Sequence, residues 1–396
     1  MTEFFLQSLG GLLMNFMQWS YLWLPILTMF VFWEIYLRYI RANYIYSEER
    51  VLLEVKIPKE ITKSPKAMEL LLEVFYQTYE GTMIDKYVGG SIRGWFSLEL
   101  VSIGGQIHFY FQIPKFFKNI VEARIYSQYP EVEVSEASYD YVLGVNYGQP
   151  GSAWDIKSWE FKLNKADVYP IKTYIDFELE KDPKEEFKID PMTPLLEFLS
   201  SIKPTEQIWI QIMIMASKSD WKKDGLKVVD ELMKRNTDTA DMSSWIKLSS
   251  SPGEKALLDS VERNLSKMGF DVGMRTLYAA TEGLKPNVGV GLNSAFRQFG
   301  VNKDDRLNSL KPSLMTNFDY FWEDPTEWRT RRLKKKHFQY YCNRTYFYPP
   351  ASKKPMLLTT EEIATIFHFP GSVATTPTLQ RIPSKRGEPP VNLPTI

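Results

Sequence analysis

Cysteine, histidine and net charge are all scarce in this chain, and each shortage removes a class of chemistry. One cysteine, Cys342, stands among 396 residues, so no intrachain disulfide can form and a reducing compartment fits. No histidine partner is in sight to activate it, and it reads as a semi-buried thiol. His108, His337 and His368 lie far apart in sequence, and no HExxH, CxxC or EF-hand spacing occurs. That pattern gives no reason to expect a metal or any other cofactor. The chain has no GxxxxGK(S/T), so it has no P-loop route to nucleotide hydrolysis. Gly289-Val-Gly291 lacks the third glycine of a dinucleotide fingerprint and reads as a flexible loop before a helix at 293–299. Lys and Arg number 48 against 48 Asp and Glu, so any nucleic-acid contact has to be local. With no catalytic constellation in view, the chain is predicted to be no enzyme.

What is abundant is apolar and aromatic surface. With 11 Trp, 22 Tyr and 24 Phe the chain has the means to fold, and its length suggests more than one core. Residues 12–37 read LLMNFMQWSYLWLPILTMFVFWEIYL and carry no charge before Glu34. The 22 residues from Leu12 to Trp33, at roughly 1.5 Å each, cross a hydrocarbon layer of about 30 Å. Trp19, Tyr21 and Trp33 suit aromatic belts, and Pro25 is tolerated in such helices. A cleaved signal peptide would need a basic start and small residues after the run; residues 1–18 hold no Lys or Arg and bulky aromatics follow. Arg38 and Arg41 come directly after it, which by the positive-inside rule puts residues 1–11 outside and the body in the cytoplasm. The expectation is a single-pass plasma-membrane protein, with the transmembrane helix and its flank at 12–40.

Past residue 50 the pattern changes to alternating strands and helices. Val51–Ile57 is β-rich. Ser64-Pro65 caps a helix striped with Met68, Leu71, Leu72, Phe75 and Tyr79. Strands at 95–103 and 106–113 flank Gly104-Gly105, a tight-turn signal. A helix with Phe117, Ile120, Val121 and Ile125 and a strand at 132–137 complete β-α-β-β-α-β, a ferredoxin-like order, over 50–140. RNA-recognition domains share that order. The aromatic stretch His108–Phe111 lacks the basic RNP setting, and packing or protein contact is the preferred reading.

A second α/β domain is predicted over 155–327. It has strands at 159–163 and 174–179, a solvated acidic loop at 180–192 and a short helix from Pro194. A long apolar strand follows at 207–216, with a helical insertion at 217–248. Ser251-Pro-Gly-Glu254 caps a helix that ends at Gly269, and a strand follows at 271–280. The unit 207–280 looks like an echo of 106–137. The fold class is therefore α+β: a transmembrane helix, two ferredoxin-like sandwiches and an extended tail.

The last third is basic, then proline-rich. From Trp328 to Thr360 there is no acid but nine bases, among them Arg329, Arg331, Arg332, Lys334, Lys335, Lys336 and Arg344. Aromatics interleave with them, so the segment 328–368 is a candidate surface for single-stranded DNA or for anionic head groups, with a plain basic helix face as the alternative. Thr359-Thr-Glu-Glu362 is a capping box that opens a short helix, and residues 369–396 read as an extended tail.

KIPKEITKSPKAMELLLE (56–73), WFSLELVSIGGQIHFYFQIPKFFKNIVEARIYSQYPEVEV (95–134) and LTTEEIATIFHFPGSVATTPTLQRIPSKRGEPPVNLP (358–394) resemble a bacterial membrane-protein family with candidate-phylum members. In that family such a region commonly precedes a conjugation or type IV secretion-like ATPase. The resemblance implies a membrane-anchored, non-catalytic accessory of a translocation machinery, docking a separate P-loop ATPase. DNA, through segment 328–354, is the alternative ligand. A second copy of the chain is a further candidate partner.

Overall fold

Without a charge before Glu34, the N-terminal run has nothing to break a helix but Pro25, and it forms α1, Ser20–Ser47. The computed structural model describes residues 18–58, 63–177, 179, 190–237, 252–300, 307–318, 320–371 and 381–382. They fall into two units, one containing α1 and Tyr79–Ile92, the other containing Arg50–Thr78 and the chain from Arg93 onward. Pro25 has no N–H to offer the Tyr21 carbonyl four residues back, and near it Thr28 Oγ1 donates to Leu24 O at 2.9 Å. Among the described residues α1 is the one helix long and apolar enough to cross a membrane, and 6% of its most apolar window is buried. It runs past the expected end at residue 40, where Leu37 and Ile40 become buried. Residues 12–17 of the predicted span lie outside the described residues.

In the same unit, Thr82 and Asp85 form a capping box that starts the short helix Met83–Tyr87. Tyr87 stacks on Trp33 with ring centroids 5.9 Å apart. Gly90, at φ +72°, presses against the Ile40 carbonyl where a side chain would collide. The predicted helix stripe from Met68 to Tyr79 is therefore too long: the helix ends at Leu72 and Tyr79 belongs with α1.

The second unit opens with β1 (Arg50–Pro58), α2 (Pro65–Leu72), β2 (Phe96–Ile103), β3 (Gln106–Pro114), α3 (Lys118–Gln128) and β4 (Glu133–Glu136). Ser64 caps α2 as its side chain accepts from the Lys66 N–H. Gly104 and Gly105, at φ +57° and +90°, make the β2–β3 turn. Then come β5 (Asp155–Leu163), α4 (Thr193–Ser200), β6 (Glu206–Ala216), α5 (Trp221–Thr237), α6 (Pro252–Ser266), β7 (Gly269–Ala280), α7 (Val288–Arg297) and β8 (Leu310–Leu314). The last elements are α8 (Trp328–Cys342), β9 (Met356–Thr359), α9 (Thr360–Ile366) and β10 (Arg381–Ile382).

One ten-stranded sheet results, in the order β10-β1-β3-β2-β6-β7-β5-β8, with β4 also on β1 and β9 on β7. Its pairings are antiparallel except the parallel β1–β10 contact. Each half repeats one pattern: β4-β1-β3-β2 and β8-β5-β7-β6 are both fourth, first, third, second in chain order. The echo in the chain is thus 155–314 against 50–136, with α5 and α6 inserted, rather than 207–280 against 106–137. The halves are continuous: β2 pairs with β6 from Phe96–Ile214 to Ile103–Gln207. Both strands are buried along their lengths, so neither suits an exposed edge. The outer strand β8 carries Pro312, which has no N–H to offer.

Alternation sends Phe96, Leu98, Leu100, Ile208, Ile210, Ile212, Ile214, Val272 and Met274 to one face, under α2, α3, α4, α7 and α9. Val101, Tyr110, Ile156, Trp209 and Leu277 face the other way, with Tyr141 and Tyr341.

Three predicted local structures are corrected. Tyr174–Phe177 and Leu179 form turns: the Asp176 and Phe177 N–H groups donate to Thr173 O, the Leu179 N–H donates to Tyr174 O, and the Tyr174 N–H donates to Thr365 Oγ1 of α9 at 3.0 Å. Gly289 and Gly291 lie inside α7, where their missing side chains admit the rings of Trp159 and Phe198. Gly269 begins β7 against Trp221, and α6 stops at Ser266. The predicted caps and loops at Ser251, 180–189 and 238–248 lie outside the described residues. Of the tail, Phe369 is buried and Arg381–Ile382 pair with Ile57–Pro58; the stretches 372–380 and 383–396 lie outside them.

Candidate functional site: a polar row under a basic helix

The second face of the sheet carries an uncommon feature for a core. Directly paired positions on six adjacent strands read Glu54, Tyr110, Glu99, Gln211, Arg275 and Glu160. Four of them, Glu99, Gln211, Arg275 and Glu160, are 3% exposed or less. Buried charges of this kind persist only where every lone pair and proton finds a partner.

All four are partnered, in part by α8 and the loop after it. Glu99 accepts from Ser97 (2.7 Å), Gln211 (2.8 Å), Tyr141 (2.8 Å) and the guanidinium of Arg344 (2.8 and 3.1 Å). Burial pushes the Glu99 carboxyl up, but the Arg344 charge and these hydrogen bonds outweigh it and hold the pKa below the ordinary value. Arg344 also forks onto Asp140 at 2.8 and 3.0 Å. Arg275 donates to Gln211 Oε1 at 2.8 Å, to Thr345 O at 3.1 Å and to Tyr340 O at 2.7 Å. These acceptors are neutral, and burial pulls its pKa down to about 10. Glu160 meets Lys353, and His337 Nδ1 at 3.9 Å. Burial, with help from Lys353, lowers His337 to about 4, so the ring is neutral near pH 7. At the first strand Glu54 holds His108 at 2.8 Å.

The row's physical effect is to clamp the C-terminus of α8. The last carbonyls of a helix lack intrahelical donors and carry partial negative charge. Arg275 supplies both a donor and a cation there. Arg344 sits just past the helix at φ +50°, a left-handed conformation usually left to glycine. Its hydrogen-bonded pairs with Glu99 and Asp140 hold it in place. Arg344 is therefore a correction: the side chain predicted for the binding surface lies inside the fold.

The other predicted cations point outward or are engaged locally. Arg331, Arg332, Lys335 and Lys336 form an exposed stripe at helical spacing. Lys334 is tied to Asp155 at 2.6 Å, Arg329 donates to the Glu323 carbonyl at 3.0 Å, and Arg331 lies 3.7 Å from Glu327. The interleaved aromatics mostly turn inward. Tyr340, Tyr341 and Tyr346 are buried, and Phe338 packs on Trp209 and Tyr147. Trp328 stays exposed, with Arg332 over its ring. The surface is thus a cationic stripe with one flanking aromatic, which can attract phosphate or carboxylate groups but offers little for base stacking.

Beside Glu160 a cavity of about 400 Å³ opens between β5 and β9, lined by Tyr346, Lys353, Lys354, Asp167 and Met356 among others. Its Lys353 is committed to Glu160. Burial raises the Cys342 thiol to about 12, an unreactive state. In α1, Trp19 stacks on Tyr21 and Trp33 lies against Tyr36. Arg38 is 4.0 Å from Glu34, and Arg41 is half-buried. The polar row was missed in the sequence, although Glu99 within FSLELVSI and Gln211 within QIWIQIMIMA were visible signals of it.

Residues 42–381 match a family described as Domain of unknown function (DUF8128). Among curated proteins, none matches the chain.

Proposed function

The chain belongs to that domain-of-unknown-function family, and from this premise we propose that it is a membrane-anchored, non-catalytic platform that docks a separate translocation ATPase at the cytoplasmic face. The observation that carries this reading is α1, an exposed apolar helix in front of a body whose buried charges are spent on holding α8. A reactive site needs perturbed groups facing a substrate; the most perturbed groups here face one another. The sequence resemblance to secretion-associated proteins supplies the partner class. Arg38 and Arg41 favour an inside body, and the repeated fourth-first-third-second strand order supports reading the two halves as ferredoxin-like units joined edge to edge. Affinity purification of the full chain from solubilised membranes should recover a P-loop ATPase; repeated recovery without one would sink the proposal.

The exposed stripe Arg331, Arg332, Lys335 and Lys336 favours a second reading, DNA binding by a tethered body. Changing these four residues to Gln should weaken DNA binding and flatten its dependence on salt. Equal affinity in a salt titration excludes it.

A further inference from the structure

We propose that Tyr79–Ile92 is a second membrane contact, a short helix lying in the head-group layer beside α1 with Met83, Ile84 and Val88 in lipid. The proposal rests on reading α1 as a membrane span. Met83, Ile84 and Val88 are 71, 72 and 66% exposed, and Tyr79 is 76% exposed. With Tyr87, the positions 83, 84, 87 and 88 share one face of a helical turn. Such a face is costly in water, and its placement says what covers it.

Tyr87 stacks on Trp33, and Gly90 abuts the Ile40 carbonyl. The segment therefore lies along positions 33–40 of α1, a stretch of roughly 10 Å at 1.5 Å per residue. That is the end of the apolar run, where Tyr36, Arg38, Tyr39 and Arg41 mark the interfacial zone. Continuity with the lipid-facing side chains of α1, Phe30 and Phe32 among them at 63 and 66% exposed, makes the bilayer the occupant. The segment's charged groups find partners within it. Lys86 pairs with Glu80 at 2.7 Å, and the Asp85 carboxylate accepts from the Thr82 N–H and hydroxyl at 2.8 Å each.

The test uses the full chain with Cys342→Ser, carrying either Ile84→Cys or Ile26→Cys labelled with an environment-sensitive dye. Each is reconstituted into phosphatidylcholine–phosphatidylglycerol vesicles. The expected result for Ile84→Cys is blue-shifted emission and loss of intensity with lipids spin-labelled near the head group, more than with lipids labelled near the chain end. Ile26→Cys should instead respond most to the deep label. If Ile26→Cys responds and Ile84→Cys is quenched only by aqueous iodide, the interfacial contact is overturned while the span stands. Shielding of Ile84→Cys from both iodide and lipid labels means a protein contact and also overturns it. Loss of lipid quenching at Ile26→Cys removes the span itself, and the contact with it.

Discussion

At the scale of single residues, Glu362 illustrates how a cap can become a titrating group. Its side chain closes the capping box with Thr359 and also accepts the Ile171 N–H, all at 1% exposure. Burial raises its pKa to about 7, above the ordinary 4.5. The folded state then binds the proton more tightly than the unfolded state. The resulting stability is fully present below about pH 4.5 and is lost as pH rises through about 7, a change on the order of 2–3 kcal/mol. Urea unfolding at pH 5 and pH 8 should show that decline, and Glu362→Gln should remove most of it; an unchanged slope in the variant refutes the assignment. Arg344→Leu tests the row in another way. It leaves the Glu99 carboxylate buried without its cation and should cost about 3–5 kcal/mol, whereas adding Glu99→Leu should recover a good part. The capping box could be read from four consecutive letters. The pairing of Arg344 with Glu99 could not, because its partners stand 245 positions apart and nothing local distinguishes a buried arginine from a surface one.

Among the elements, local pattern succeeded where the chain's own neighbours determine structure. Gly104-Gly105, the Ser64-Pro65 start and the apolar run of β6 all form as their residues dictate. It failed where distant side chains decide. Gly289 and Gly291 suggested a loop, yet both sit in α7 because Trp159 and Phe198 occupy the space beside them. Helix propensity alone says Gly291→Ala should stabilise α7 by about 1 kcal/mol. The added methyl meets the Phe198 ring, and overpacking of about 1–3 kcal/mol reverses the sign. Thermal unfolding of Gly291→Ala should therefore show a lower midpoint, with Phe198→Ala in the same chain relieving the clash non-additively. A raised midpoint in the single variant would refute the packing argument.

For the molecule as a whole, the strands predicted for two domains lie in one sheet. The alternation of apolar residues fixes which face of a strand is buried, but says nothing about which strand lies beside it, so the β2–β6 junction was not legible. One core cluster crosses that junction, from Leu53 to Leu310. The unit of Arg50–Thr78 and the chain from Arg93 onward should then unfold in a single calorimetric transition; two separated transitions would count against a shared core. The proposed anchoring by α1 makes an independent prediction. Phe30→Arg with Val31→Arg places two charges mid-helix at about 2.5–3.5 kcal/mol each. The double variant should pass from the carbonate-resistant membrane fraction to the soluble one, and retention would speak against a span. On the proposed anchoring, many copies are confined to a plane, where the edges of neighbouring sheets meet more often than in free solution. Pro312 on the outermost strand interrupts the ladder that an approaching edge would need. That edge is then poorly suited to zip onto a neighbouring copy.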